Sequence, residues 1–171
     1  MTTIRSAICV RCPPRWLFLR VETDDGEIGW GEAIGDLHHE VETALNAIGE
    51  RVEGSSIHDI TRTIETQRKT RFWRDGPVLD TALSALEMAL WDLKGKQFGA
   101  PVHELLGGRV RERVRVYRNL WGRTPEEFAD SAREAMSQSM TAAKVSPAGP
   151  TPDVASRAAL NGMVDVVRAV R

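Results

Sequence analysis

A chain of 171 residues holds one ordinary domain, or a small domain and part of another. Its 42% hydrophobic and 27% charged residues are those of a globular protein, and 23 basic against 24 acidic side chains leave a net charge of −1, which favours neither nucleic acid nor an anionic membrane. No apolar run reaches the ~18 residues of a membrane span, MTTIRSAICVRC lacks the apolar centre of a secretory leader, and two cysteines are too few for a disulfide scaffold, so the expected location is cytoplasmic.

Residues 4–10 read as a strand, broken at Arg11-Cys12-Pro13-Pro14-Arg15, where two prolines remove two backbone donors. Residues 16–23 form a second strand, with Leu17, Leu19 and Val21 on one face and Trp16, Phe18, Arg20 and Glu22 on the other. Asp24-Asp25-Gly26 is a hairpin turn, and residues 27–33 return as the third strand of a meander. From 39 to 52 the period becomes helical, with Val41, Leu45, Ile48 and Val52 on one side. After the loop Gly54-Ser55-Ser56, the residues Ile57, Ile60 and Ile64 begin a second helix. Asp75 is the expected cap of a third, with Pro77 in its first turn.

That third helix carries the longest apolar periodicity in the chain. Leu79, Ala82, Leu83, Leu86, Leu90 and Leu93 recur at steps of three and four, and the small Ala85 and Ala89 beside them let another element approach closely. Asp80, Glu87 and Lys94 mark the wetter side, and Gly99 followed by Pro101 is a helix stop. A short turn over 102–106 then runs into Gly107-Gly108. Strands first and helices after them predict an α+β arrangement.

Beyond Gly108 the grammar alters. Residues 114–119 alternate as a strand, Thr124-Pro125-Glu126-Glu127 caps a helix running to about 139, residues 142–145 form a short strand, and a proline- and glycine-rich loop over 146–152 precedes a helix over 153–170. Strand, helix, strand, helix predicts a parallel βαβ arrangement in residues 114–171, after an α+β domain in residues 1–113. A (β/α)8 barrel needs about 250 residues, so the second segment is expected to hold its first two β/α units and to belong to a longer protein.

Three side-chain groupings have bland readings beside their chemical ones. Cys9 and Cys12 have the spacing of a metal or redox pair, but no second ligand pair accompanies them and no helix follows, so packing and loop thiols are the default. His38-His39-Glu40 is not HExxH, and adjacent side chains on a helix point apart; a helix entrance with an acidic first turn accounts for it. Arg109, Arg111, Arg113, Arg115 and Arg118 are interrupted by Glu112 and interleave no stacking platform, which reads as a solvated connector.

The stretch ALWDLKGKQFGAPVHELLGG over 89–108 resembles the end of the N-terminal capping domain in the enolase superfamily, and within it the mandelate racemase and muconate lactonizing subgroup. PRWLFLRVETDDGEIGWGE over 14–32 is similar to the galactonate-dehydratase-like acid-sugar dehydratases. The resemblance implies a capping domain, a three-stranded antiparallel meander plus helices, followed by the first two units of an incomplete (β/α)8 barrel. It also implies removal of a proton α to a sugar-acid carboxylate, with Mg2+ as cofactor, and loss of the β-hydroxyl to give a 2-keto-3-deoxy acid. On this likeness Arg15 and Trp16 in the first loop, and Asp36 and His38 in the second, are candidate substrate contacts, while Glu32 is structural. Lys144 stands where racemases of the family carry Lys-x-Lys; here the run is Lys144-Val145-Ser146, which keeps the electrostatic lysine and lacks the second, basic one. Ser139-Met140 departs from the glycine with which relatives end the first barrel helix.

The family's metal ligands and catalytic histidines come from later barrel strands, so no metal ligand is assigned to this chain, which alone is expected to be inactive. A small-molecule sugar acid and a homo-oligomeric assembly are the expected partners, with no nucleic acid and no membrane. Another activity of the subgroup, epimerase or cycloisomerase, and a non-catalytic interaction module are the alternatives.

Overall fold

Alternation along three short strands decides the first layer of the fold. In a computed structural model that describes residues 2–34, 36–70, 72–149 and 154–171, β1 (Ile4–Cys12), β2 (Trp16–Thr23) and β3 (Ile28–Ala33) form an antiparallel sheet in the order β1-β2-β3. Leu17, Leu19 and Val21 on β2 have no exposed surface, while Trp16 on the alternate face is 47% exposed. The buried face is covered by α1 (His38–Val52), α2 (Ile60–Lys69) and α3 (Pro77–Phe98), with the single turn α4 (Val102–Leu105) following. This is the meander-plus-helices architecture read from the sequence.

The apolar stripe of α3 lies in the centre of this core, with Ala82, Ala85, Leu86, Ala89 and Leu90 wholly buried. The small residues matter because α3 lies directly on β3. A Cβ placed on Gly31 would stand 1.9 Å from the carbonyl oxygen of Ala85, and one on Gly29 would stand 2.3 Å from that of Ala89. Side chains of α3 also satisfy the open edge of β3, which would otherwise invite another strand. Asp92 accepts from the backbone N–H of Trp30 at 3.0 Å, Lys96 donates to the carbonyl of Ile28, and Thr81 accepts from the N–H of Ile34 at 3.0 Å. Gly99 ends the helix in the left-handed conformation, at φ 62°.

The chain divides into two compact units, Met1–Val110 and Arg111–Arg171. The second contains β4 (Arg118–Asn119), α5 (Pro125–Ser137), β5 (Ala143–Lys144) and α6 (Arg157–Val170), with β4 and β5 parallel. Its core is small: Leu120, Phe128, Ala135 and Val166 are its buried apolar residues among those described. Thr124 caps α5 by accepting from the N–H of Glu127 at 3.3 Å. Ser139 takes the left-handed conformation at φ 61°, and its neighbour Met140 donates to the carbonyl of Ala135 at 3.1 Å, closing the C-terminus of α5.

Several boundaries differ from the sequence reading, each for a local reason. β1 continues through Arg11 and Cys12, which pair with Leu17 and Trp16; only the prolines lack the N–H that a ladder needs. The strand read over 114–119 is reduced to Arg118–Asn119 because its partner β5 offers only two residues to pair with. Gly76, rather than Asp75, occupies the N-cap of α3, and its N–H is held at 3.1 Å by the carboxylate of Asp80 from within the helix. Ile57 precedes α2 and is buried outside it. Helix α6 begins after Ser156, whose hydroxyl accepts from Ala159; the earlier start read at Asp153 falls outside the described residues.

Candidate functional site

Antiparallel pairing brings the two candidate loops of the first unit to one end of its sheet. Arg15 and Trp16 lead into β2, and Ile34, Asp36 and His38 follow β3. Leu17 stands opposite Ala33, so the chain enters β2 beside the point where it leaves β3. Arg15 and Asp36 are exposed, and neither is held in an ion pair among the described residues. Trp16 lies nearly parallel to Phe18, with ring centroids 6.5 Å apart, so its indole is held by the sheet and half presented to solvent. His38 opens α1, and its ring meets that of His39 at 4.2 Å with a tilt of 43°; the two imidazoles come together rather than pointing apart. Between them and Asp36, Leu37 adopts the left-handed backbone at φ 56°. Gly35 lies outside the described residues.

This end of the sheet presents an exposed guanidinium, an indole face, a carboxylate and imidazole nitrogens. Such a set can hold a small polar molecule carrying both hydroxyls and an anionic group. It holds no metal centre: among the described residues no group of three or more His, Cys, Asp or Glu is placed to bind an ion. The described residues of the first unit therefore do not fit Mg2+.

Lys144 lies on β5 of the second unit, exposed and opposite Asn119. Its Nζ enters no ion pair among the described residues, and its carbonyl accepts from the N–H of Leu120 at 2.9 Å.

The cysteine pair is separated by the pleat of β1. Cys9 packs against the apolar core and Cys12 stands opposite Trp16. Burial, with the Glu42 carboxylate next in effect, pushes the Cys9 thiol above its ordinary pKa, so the thiolate needed for redox or metal chemistry is disfavoured. Ion pairs sit elsewhere on the sheet. Hydrogen bonding from Arg20, helped by the charges of Arg20 and Arg5, lowers the pKa of Glu22, and a hydrogen bond from the hydroxyl of Thr23 lowers that of Asp25.

Residues 3–107 match the family described as mandelate racemase / muconate lactonizing enzyme, N-terminal domain. The chain belongs to this family. D-galactonate dehydratase from Variovorax paradoxus (strain S110) is 40% identical over 127 residues, which is 74% of this chain and 33% of that protein. A solved member of the enolase superfamily from Salmonella Typhimurium superposes on all of this chain and on 51% of its own, with a TM-score of 0.86 and 26% identity. An enolase from Pantoea ananatis, solved with bound D-gluconate and Mg, shares the fold at a TM-score of 0.83 and 24% identity. This chain thus spans about a third to a half of the length of the proteins it matches.

Sequence reading missed the covering of the β3 edge by Thr81, Asp92 and Lys96. The only signal was the spacing of Asp92 and Lys96, four apart on α3, which reads equally well as an ordinary surface ion pair.

Proposed function

We propose that residues 1–113 are the capping domain, and residues 114–171 the barrel start, of a longer enzyme that dehydrates a sugar acid of the galactonate type to a 2-keto-3-deoxy acid. The observation that carries this reading is the match of residues 3–107 to the capping-domain family, in a chain whose two exposed loops share one end of the sheet. The name of the Variovorax relative supports the substrate class.

In this reading Arg15 forks onto the substrate carboxylate, Trp16 lies along the carbon chain, and Asp36 and His38 exchange hydrogen bonds with the hydroxyls. Lys144 contributes positive charge near the carbon that loses its proton. Mg2+, when bound to the complete enzyme, supplies the positive charge that makes the α-proton of a carboxylate acidic enough to remove. In this reading the present chain alone is inactive: among the described residues it contributes substrate-binding loops and a strand-end lysine, and none of them is assigned to take that proton.

The test joins residues 1–171 to the remaining barrel of a D-galactonate dehydratase and follows formation of the 2-keto-3-deoxy product with Mg2+ present. A folded chimera should turn over D-galactonate, and Arg15→Ala should lower kcat/KM by roughly 10- to 100-fold, the loss of a charge-assisted pair, without shifting Tm. A folded chimera inactive on sugar acids would overturn the reading, and turnover by the isolated chain would overturn the claim that it is inactive.

A further inference from the structure

A polar cleft of about 300 Å3 lies between the turn that follows α1 and the exposed flank of α2. Its wall contains two of the few polar side chains that are more than nine-tenths buried, Thr63 at 7% exposure and Gln67 at 5%. The guanidinium of Arg51 donates to Gln67 Oε1 at 2.8 Å. An arginine can only donate, so the amide must turn its oxygen to Arg51 and keep its NH2 for another partner. Neither that NH2 nor the Thr63 hydroxyl has a protein partner among the described residues. Yet among the described residues no side-chain nitrogen or oxygen is at once sealed from solvent and unpaired, so both atoms keep access to solvent at the wall of the cleft they line.

The remaining groups have the same polarity. Ser56 Oγ accepts from the N–H of His58 at 3.1 Å, which leaves its O–H to donate. Arg62 lines the cleft and enters no ion pair among the described residues. Against these donors stands one acid, the exposed Asp59. We propose that the cleft is a binding site for a small oxyanion, phosphate or carboxylate, received by the Gln67 amide, the Thr63 and Ser56 hydroxyls and the Arg62 guanidinium. These donors share one cleft wall, and an oxyanion can accept from several of them at once. The cleft is separate from the candidate loops of this unit: Ser55 accepts from the N–H of Ile4 at the start of β1, whereas Arg15 and Trp16 follow the far end of that strand, about 25 Å of extended chain away.

The 171-residue chain, labelled with 15N, is titrated with sodium phosphate and with sodium acetate, against sodium chloride at equal ionic strength. Saturable shifts of the Gln67 side-chain amide and the Ser56 and Thr63 backbone amides are expected with at least one oxyanion, and the anion that gives them identifies the preferred type. Arg62→Ala should weaken binding at least fivefold. Thr63→Val, which keeps the shape of the buried side chain, should weaken it at least twofold while leaving Tm in place. Shifts that chloride reproduces, no saturation with either oxyanion, or an affinity unchanged in Arg62→Ala would overturn the proposal.

Discussion

The two units of this chain solve the same problem to different extents. In the first, a sheet and three helices bury an unbroken apolar cluster from Ile4 to Leu93, and the β3 edge is covered by α3 side chains. In the second, four apolar residues are buried among those described, while Leu160 and Val164 of α6 are 50% and 45% exposed. Capping in the second unit is nonetheless good: Thr124 and Ser156 both accept from the turn they open. Helix ends are local and contribute about 1 kcal/mol each, whereas a core requires residues distant in sequence to meet. Good caps on a small core give helices that form readily and open readily.

The largest expected effect lies in the first unit. Gly31→Ala would drive a methyl into the carbonyl of Ala85, where the obstacle is backbone and cannot turn aside. A loss of roughly 3 kcal/mol, at the upper end for overpacking, should appear as a lowered denaturant midpoint followed through β2 and α3. An unchanged midpoint would mean that α3 does not lie on β3 as described.

In the second unit the sharper change is stabilising. Ser139 holds the left-handed conformation that glycine adopts at no steric cost. Ser139→Gly should therefore raise the stability of α5 by about 0.5–1 kcal/mol, read as slower amide exchange at Met136, Gln138 and Met140. Ser139-Met140 is one of two departures from the family's pattern read in residues 114–171, beside Lys144-Val145-Ser146, and its backbone angle gives that departure a physical cost.

The smallest effect is a pH dependence in the first unit. The pKa of Glu22 is lowered in the fold, chiefly by the hydrogen bond from Arg20. Its contribution to stability is therefore present above the ordinary carboxylate range and is lost as pH falls through that range toward the folded value. Glu22→Gln should flatten the acid limb of a stability-versus-pH curve by lowering the neutral plateau slightly, the amount being small because the ion pair is solvent-screened. An acid limb of unchanged slope would contradict this assignment.

Much of the first unit was legible because its signals are local and periodic. The alternation of Leu17, Leu19 and Val21, the Asp24-Asp25-Gly26 turn, the stripe from Leu79 to Leu93 and the Gly99 stop each need only neighbours in sequence to be read. Even the close approach at Ala85 and Ala89 was anticipated, although not that Gly29 and Gly31 would be its other half. What could not be read depended on partners. Residues 114–117 alternate as a strand would, yet only two residues of β5 are there to pair with. The oxyanion cleft is assembled from a turn and the less apolar flank of α2, where Thr63 and Gln67 look like ordinary helix-surface residues until their burial is seen. The candidate loops were picked out by resemblance; the sheet register accounts for their meeting at one end.

The difference between the units is tested most directly by native-state hydrogen exchange on the whole chain, residue by residue. The account predicts strong, cooperative protection across Leu17, Leu19, Val21 and the buried face of α3, with α5 and α6 exchanging at least tenfold faster in spite of their caps. Equal protection in α3 and α6 would contradict it.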